Sequence, residues 1–228
     1  NFTCLPIVNM KKDNNKYLSN VLKFIYLNIV RFTWFLGALS ILFLDKLDFQ
    51  RKINQIGNSG FDVVMRYLTH AGDGIFALLV LIALLFIRIK TALIALISFG
   101  LTAGIVQLLK HTFFKTMKRP YYFLQSDADF RFIEDFTYHT SNSFPSGHSA
   151  SIFAICTVIA YQYKSKLSIQ LILVIFAILV ALTRVYLCQH FLQDIIAGSL
   201  IGTLIAYYAS IFLEPKWNHL DKPLRLNE

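Results

Sequence analysis

The feature that most constrains this chain is a series of long apolar runs, at residues 24–44, 75–87, 92–109, 149–163, 167–187 and 195–213. The hydrocarbon core of a bilayer is about 30 Å thick and takes about 20 apolar residues in a helix. The shorter runs are extended by flanking Thr, Ser and Lys, whose side chains snorkel. The pattern predicts an all-α, polytopic membrane protein with six transmembrane helices, the first interrupted by Arg31. A soluble helical bundle is excluded, because its helices do not run so long without a polar face. Composition agrees, with 56% hydrophobic and only 15% charged residues. The runs set the boundaries: an N-terminal segment 1–23, one membrane domain 24–213 and a tail 214–228. Residues 1–9 have neither the basic start nor the apolar core of a signal peptide. Met10 therefore reads as the natural start, and the sequon at Asn1 is discounted.

The net charge of +9 would suggest nucleic acid in a soluble protein, but here its distribution along the chain carries the meaning. Lys11, Lys12, Lys16 and Lys23 precede the first run, and Arg88 and Lys90 separate the second from the third. Lys164 and Lys166 separate the fourth from the fifth, and Lys216, Lys222 and Arg225 follow the sixth. With alternating helices these segments share one side, and short basic loops stay in the cytoplasm. Both termini are expected there, with the long loops 45–73 and 110–146 outside and no nucleic-acid partner. Residues 58–70 of the first loop read as an amphipathic interfacial helix. The second loop, rich in aromatics, reads as an ordered cover over the outer helix ends. Cys4, Cys156 and Cys188 form no disulfide framework, and Cys156 behaves as a small hydrophobe.

Three polar clusters fall at the outer ends of the predicted helices, on the side opposite the short basic loops. Lys110, His111, Lys115, Lys118, Arg119 and Pro120 follow the third run. Pro145, Ser146, Gly147 and His148 lead into the fourth. Arg184, His190 and Asp194 straddle the fifth and sixth. Pro145 imposes an extended lead-in, Ser146 is a good N-cap, and Gly147 lets backbone approach a ligand. The free N–H groups of that helix start favour an anion, and His148 stands beside them to exchange a proton. His190 and Asp194, four apart, share a face if helical, and the carboxylate would fix the imidazole tautomer and leave Nε2 free as a nucleophile. Arg184 sits about 120° off that face on a continuous helix, so a break at residues 187–189 is needed to unite them. Arg119 offers a planar fork and Lys110 a point charge for phosphate oxygens. Together these groups suit phosphoryl chemistry. No metal ligand set is expected; Asp127, Asp129, Glu134 and Asp135 are the remote candidates for Mg²⁺.

These residues resemble the type 2 phosphatidic acid phosphatase superfamily, to which glucose-6-phosphatase and the vanadium haloperoxidases also belong. Its signature runs Lys-x6-Arg-Pro, Pro-Ser-Gly-His and Ser-Arg-x5-His-x3-Asp. Arg119-Pro120 matches the end of the first motif, and Pro145 to His148 match the second in full. Arg184, His190 and Asp194 match the third, with Thr183 in place of Ser. The first motif would put its lysine at position 112, which is Thr; Lys110 reads as that lysine after a two-residue insertion, with Lys115 as the rival. The resemblance implies a catalytic core in the third to sixth helices and a metal-independent, cofactor-free phosphatase. His190 would attack phosphorus, oriented by Asp194, and His148 would serve as acid and then base. Lys110, Arg119, Ser146, Gly147 and Arg184 would hold the phosphate oxygens. The implied substrate is a membrane lipid phosphate or pyrophosphate: phosphatidylglycerophosphate, undecaprenyl pyrophosphate, phosphatidic acid or lipid A. The alternatives are a lipid phosphotransferase and a non-catalytic lipid-phosphate binding or transport protein. The compact form points to the bacterial cytoplasmic membrane, with the site facing the periplasm or exterior.

Overall fold

The computed structural model describes residues 24–224. The expectations placed on Lys11, Lys12, Lys16, Lys23, Arg225, the start at Met10 and the sequon at Asn1 lie outside the described residues. Regular structure within them is helical throughout. In chain order the helices are α1 (Ile25–Phe43), α2 (Lys46–Gln55), α3 (Ser59–Leu68), α4 (Gly74–Ile87), α5 (Ile89–Thr112), α6 (Pro120–Leu124), α7 (Gly147–Gln162), α8 (Leu167–Tyr186) and α9 (Leu192–Leu213). A 3-10 turn, Thr69–Gly72, joins α3 to α4, and another, Asn218–Leu220, lies in the tail. Asn58 caps α3 through its side chain, so the amphipathic helix expected at 58–70 forms with its boundaries nearly as read. Arg31 does not interrupt α1; its side chain simply lies on an exposed face.

Four helices, α1, α5, α8 and α9, are long and apolar enough to cross a membrane. A fifth span is possible if α3, its 3-10 turn and α4, bent by 59° at their break, count as one. Six spans were expected, so two runs need an account. Helix α7 has 16 residues, about 24 Å of helix at 1.5 Å per residue, and α4 has 14. Both are shorter than a bilayer core. Ten residues of α7 are buried by its neighbours, which makes it the axis of the bundle rather than a lipid-facing helix. Large apolar side chains point outward from the surrounding helices instead, among them Phe32, Leu78, Leu101, Ile172, Leu200 and Phe212. Such a jacket suits lipid and not water, and the protein is an integral membrane protein.

Helices α7 and α9 meet at backbone distance. A Cβ placed on Gly198 would lie 2.3 Å from the Ser146 carbonyl oxygen, and one on Gly202 would lie 2.1 Å from that of Ala150. Small residues four apart on both helices, Ala150 and Ala154 facing Gly198 and Gly202, produce this approach, a common solution where lipid offers no hydrophobic drive for association. Cross-links of another kind hold α1: Trp34 Nε1 donates to Ser199 Oγ at 2.9 Å, and Thr157 Oγ1 donates to the Tyr26 hydroxyl at 3.2 Å. At one end of the bundle Arg88 pairs with Asp221 at 2.8 Å and donates to Gln162 at 3.3 Å, while Ile89 N–H donates to the Lys222 carbonyl at 2.9 Å. The basic segments around residues 88 and 222 thus meet at one end, as alternation of the runs requires.

Gly202→Ala should lower the thermal midpoint of the detergent-solubilised protein, because the new methyl group pushes backbone against backbone, an overpacking that costs roughly 1–3 kcal/mol. Gly100→Ala is the control: beyond its own helix backbone, no atom of the described residues lies within 4 Å of its Cβ position, so the midpoint should hold or rise slightly.

Candidate active site

At the end of the bundle opposite Arg88, the three polar clusters converge. Ser146 N–H donates to the Asp194 carbonyl at 2.9 Å, which docks the start of α7 on the start of α9. Ser146 is fully buried and caps α7, accepting from Ser149 N–H at 3.4 Å. Among the described residues, a Cβ on Gly147 would meet nothing closer than Val106 Cγ1 at 3.9 Å, so packing does not explain the glycine.

The break between α8 and α9 falls where the Arg184–His190 spacing required it. Helix α8 stops at Tyr186; Cys188 takes a left-handed φ of 55°, and the N–H groups of Gln189 and His190 both return to the Arg184 carbonyl, at 2.9 and 3.0 Å. A non-glycine residue in that region is sparsely populated and marks a turn held by its surroundings. His190 therefore precedes α9 rather than sharing a helical face with Asp194. Its Nδ1 still lies 3.3 Å from Asp194 Oδ2, the same oxygen that accepts from Phe191 N–H at 3.0 Å and from the Ser143 hydroxyl. Oδ1 of Asp194 is buried without a hydrogen-bond partner among the described residues, as is Nε of Arg184.

Three cations stand around this imidazole. Arg119 donates to Gln189 Oε1 at 2.9 Å and to the Ser141 carbonyl at 2.8 Å. Lys110, buried in the last turn of α5, donates to the Asn142 carbonyl at 3.0 Å. Arg184 Nη1 donates to Thr69 Oγ1 at 2.7 Å. Burial first, then the charges of Arg119, Arg184 and Lys110, hold the His190 imidazole well below its ordinary value, so it is neutral near pH 7. Lys115 is exposed on the loop, and Thr112 spends its hydroxyl on the Leu108 carbonyl; Lys110 is the lysine that reaches the cluster. His148 Nε2 lies 2.6 Å from Asp73 Oδ1.

Several of these neighbours were not readable from the chain. Ser143 lies inside the Asn142–Pro145 lead-in with no periodic signal, and Thr69 and Asp73 stand more than 70 residues before the groups they touch. His139, an exposed loop residue, also belongs here: its partial burial, then Arg119, Arg184 and Lys110, lower its imidazole below the usual range. The remote Mg²⁺ candidates are engaged elsewhere or apart. Asp127 accepts from Arg51 Nε at 2.9 Å, and no group of three or more His, Cys, Asp or Glu suited to a metal occurs among the described residues.

A pH prediction follows from His190. Its folded value lies below the unfolded value near 6.5, so below pH 6.5 the unfolded chain binds the proton that the folded chain refuses. Stability should therefore fall as pH drops from about 6.5, by up to about 1.4 kcal/mol per pH unit for this group. In phosphate-free detergent, thermal midpoints of His190→Asn should fall less steeply between pH 6.5 and 5 than those of the wild type. Equal slopes would exclude the effect.

Comparison with known proteins fits this arrangement. Residues 91–217, more than half of the chain, match the PAP2 superfamily. Phosphatidylglycerophosphatase B of Bacillus subtilis (strain 168) is 35% identical over 85 residues, 34% of this chain and 42% of that protein. Lipid phosphate phosphatase 1 of Arabidopsis thaliana is 37% identical over 93 residues, 33% of this chain and 28% of that protein. The chain thus spans less than half the length of these curated relatives. Among solved structures, Aquifex aeolicus LpxE aligns with a TM-score of 0.61 at 29% identity, over 73% of this chain and 95% of its own. The first transmembrane PAP2-type phosphatidylglycerolphosphate phosphatase from Bacillus subtilis aligns with a TM-score of 0.61 at 26% identity, over 86% and 96%. The chain belongs to the PAP2 superfamily, the type 2 phosphatidic acid phosphatases.

Proposed function

We propose that this protein is an integral-membrane lipid phosphatase that hydrolyses the phosphomonoester or pyrophosphate of a membrane lipid through a phosphohistidine intermediate. The observation that carries the reading is His190: a neutral imidazole, backed at Nδ1 by Asp194, with Lys110, Arg119 and Arg184 around it. Three cations gathered at the site call for an anion, and an Arg184 Nε without an acceptor among the described residues calls for an anion's oxygen.

In this mechanism the Asp194 carboxylate keeps the Nδ1 proton on His190, so the Nε2 lone pair attacks phosphorus. The phosphoryl oxygens carry most of the charge in the transition state, and Lys110, Arg119, Arg184, Ser146 and the Gly147 N–H hold them. The open space beside Gly147 admits an oxygen to the helix N-terminus. His148 protonates the leaving oxygen and then takes a proton from the water that cleaves the phosphohistidine. The side-chain cations supply the charge neutralisation that a metal would otherwise give, so the reaction needs none.

The same reading completes a six-span topology. Helix α4 runs from Asp73, beside His148, to Arg88, beside Asp221. Helix α7 runs from Ser146, at the site, to Gln162, beside Arg88. Both short helices therefore connect the site end to the basic end. By the distribution of Lys and Arg, the basic end is cytoplasmic and the site faces the periplasm or exterior, at headgroup depth in a bacterial cytoplasmic membrane. That depth favours a lipid over a soluble ester. Phosphatidylglycerophosphate heads the candidates because a curated relative and a solved structure, both from Bacillus subtilis, are named for it; undecaprenyl pyrophosphate, phosphatidic acid and lipid A complete the panel.

Purified protein in detergent should release phosphate from at least one lipid of that panel, with inhibition by vanadate and no loss in EDTA. His190→Ala should abolish turnover while still unfolding in one cooperative thermal transition at pH 7.5, and His148→Ala should lower turnover by about 10²–10⁴-fold. Wild-type turnover in His190→Ala would overturn the mechanism. Tight lipid-phosphate binding without phosphate release would overturn the assignment as an enzyme.

A further inference from the structure

Asp73 occupies the N-cap position of α4, where an aspartate ordinarily turns its carboxylate back onto the free N–H groups of the first turn. Here it makes no side-chain cap bond. Oδ1 lies 2.6 Å from His148 Nε2, and Oδ2 lies 2.7 Å from Nδ1 of the exposed His70. The preceding residue fixes the ring from the same side: a Cβ on Gly72 would sit 2.8 Å from His148 Cβ and 3.0 Å from its Cδ2. The Cδ2–Nε2 edge of the imidazole thus faces the Thr69–Asp73 segment, and the Nδ1 edge faces away from it. The same segment also holds Arg184 through Thr69.

We propose that Asp73 is the positioning carboxylate of His148, and that the site therefore holds two Asp–His pairs of opposite polarity. Asp194 takes Nδ1 of the nucleophile and leaves Nε2 to phosphorus; Asp73 takes Nε2 of the acid and leaves Nδ1 to the leaving oxygen. The inference rests on the general-acid role given to His148 above. In the first half-reaction His190 Nε2 bonds to phosphorus as the ester P–O bond breaks, and the Nδ1 proton of His148 passes to the departing oxygen. His148 becomes neutral and keeps its Nε2 proton, donated to Asp73. In the second, a water oxygen bonds to phosphorus, its proton returns to His148 Nδ1, and the P–N bond breaks. Asp73 remains a carboxylate throughout and stabilises the imidazolium that begins and ends the cycle. The other charged or titratable groups acting on His148 are Arg184 from α8 and, from the loops, Arg119 and His190. Two of these are fixed cations, and Asp73 is the carboxylate set against them at the ring.

The test separates the acid from its surroundings by the demand of the leaving group. Phosphatidic acid leaves an alkoxide, which needs a proton, whereas p-nitrophenyl phosphate leaves a phenolate, which needs none. The kcat/KM of the full chain in detergent, which covers the steps up to departure, is measured for both. Asp73→Asn should lower the value for phosphatidic acid about 10- to 100-fold and that for p-nitrophenyl phosphate by less than about 3-fold. Asp73→Ser, which removes the carboxylate but supplies a helix cap, should show the same selective loss and serves if the Asn variant does not fold. His148→Ala should show it more strongly. Equal losses on both substrates, or none on either, in the Asp73 variants would overturn the proposal. If His148→Ala discriminates and the Asp73 variants do not, the general acid stands and Asp73 is not its partner. If His148→Ala fails to discriminate, the general-acid reading falls and this inference falls with it.

Discussion

The backbone contact between the starts of α7 and α9 governs the geometry of everything else. Ser146 donates its N–H to the Asp194 carbonyl, and Gly198 lets the Ser146 carbonyl lie against α9 with no side chain between. That contact fixes the N-terminus of α7, with its free N–H groups, against the turn that carries His190. A Cβ at position 198 would lie 2.3 Å from the Ser146 carbonyl oxygen and push the two apart, and the groups proposed to share one phosphate would no longer converge. In lipid, where apolar side chains gain little by associating, such close packing of small residues is what holds helices in register.

The second constraint is electrostatic. Lys110 and Arg184 are buried and Arg119 is partly buried, yet no salt bridge joins any of them to an acid among the described residues. They are held by neutral acceptors: the Asn142 carbonyl, the Gln189 and Ser141 oxygens, and Thr69. A protein that needed these cations only for its own stability would pair them with carboxylates. Neutral acceptors hold the side chains in place while leaving their charge unspent, which is the condition for binding a phosphate strongly. Of the two carboxylates at the site, Asp194 is committed through Oδ2 to His190, Phe191 and Ser143, and Asp73 to His148 and His70.

The short-range parts of this arrangement were legible in the chain. Helix type and most of the runs follow from apolar length, the Ser146 cap from the Pro-Ser-Gly lead-in, and the break at residues 187–189 from the six-residue gap between Arg184 and His190. The count of membrane-length helices was not, because run length in a sequence does not say whether neighbouring helices sheathe a short one, as they do α7. The partners that hold each functional side chain were not legible either. Ser143, Gln189, Thr69 and Asp73 carry no periodicity and no motif, and their importance arises only when tertiary packing brings them within hydrogen-bond reach. Lys110 is an intermediate case: the motif reached it only through a two-residue insertion, with Lys115 as the rival, and its burial in the last turn of α5 separates them.

The match to the superfamily begins at residue 91, yet the turn formed by Thr69 to Asp73 lies before it and touches both Arg184 and His148. The matched segment carries the groups that would meet phosphate, while the first third of the chain carries groups that hold two of them in place. That division has a physical basis. Groups that contact phosphorus must satisfy one fixed geometry, which only a few residue types at set spacings can meet. A group that steadies an imidazole or a guanidinium needs only to present an oxygen at about 2.7 Å, and many segments of different sequence can do that. Residues of the second kind leave weak traces in sequence and strong ones in coordinates. Asp73, which gives up its own helix cap to reach His148, is such a trace.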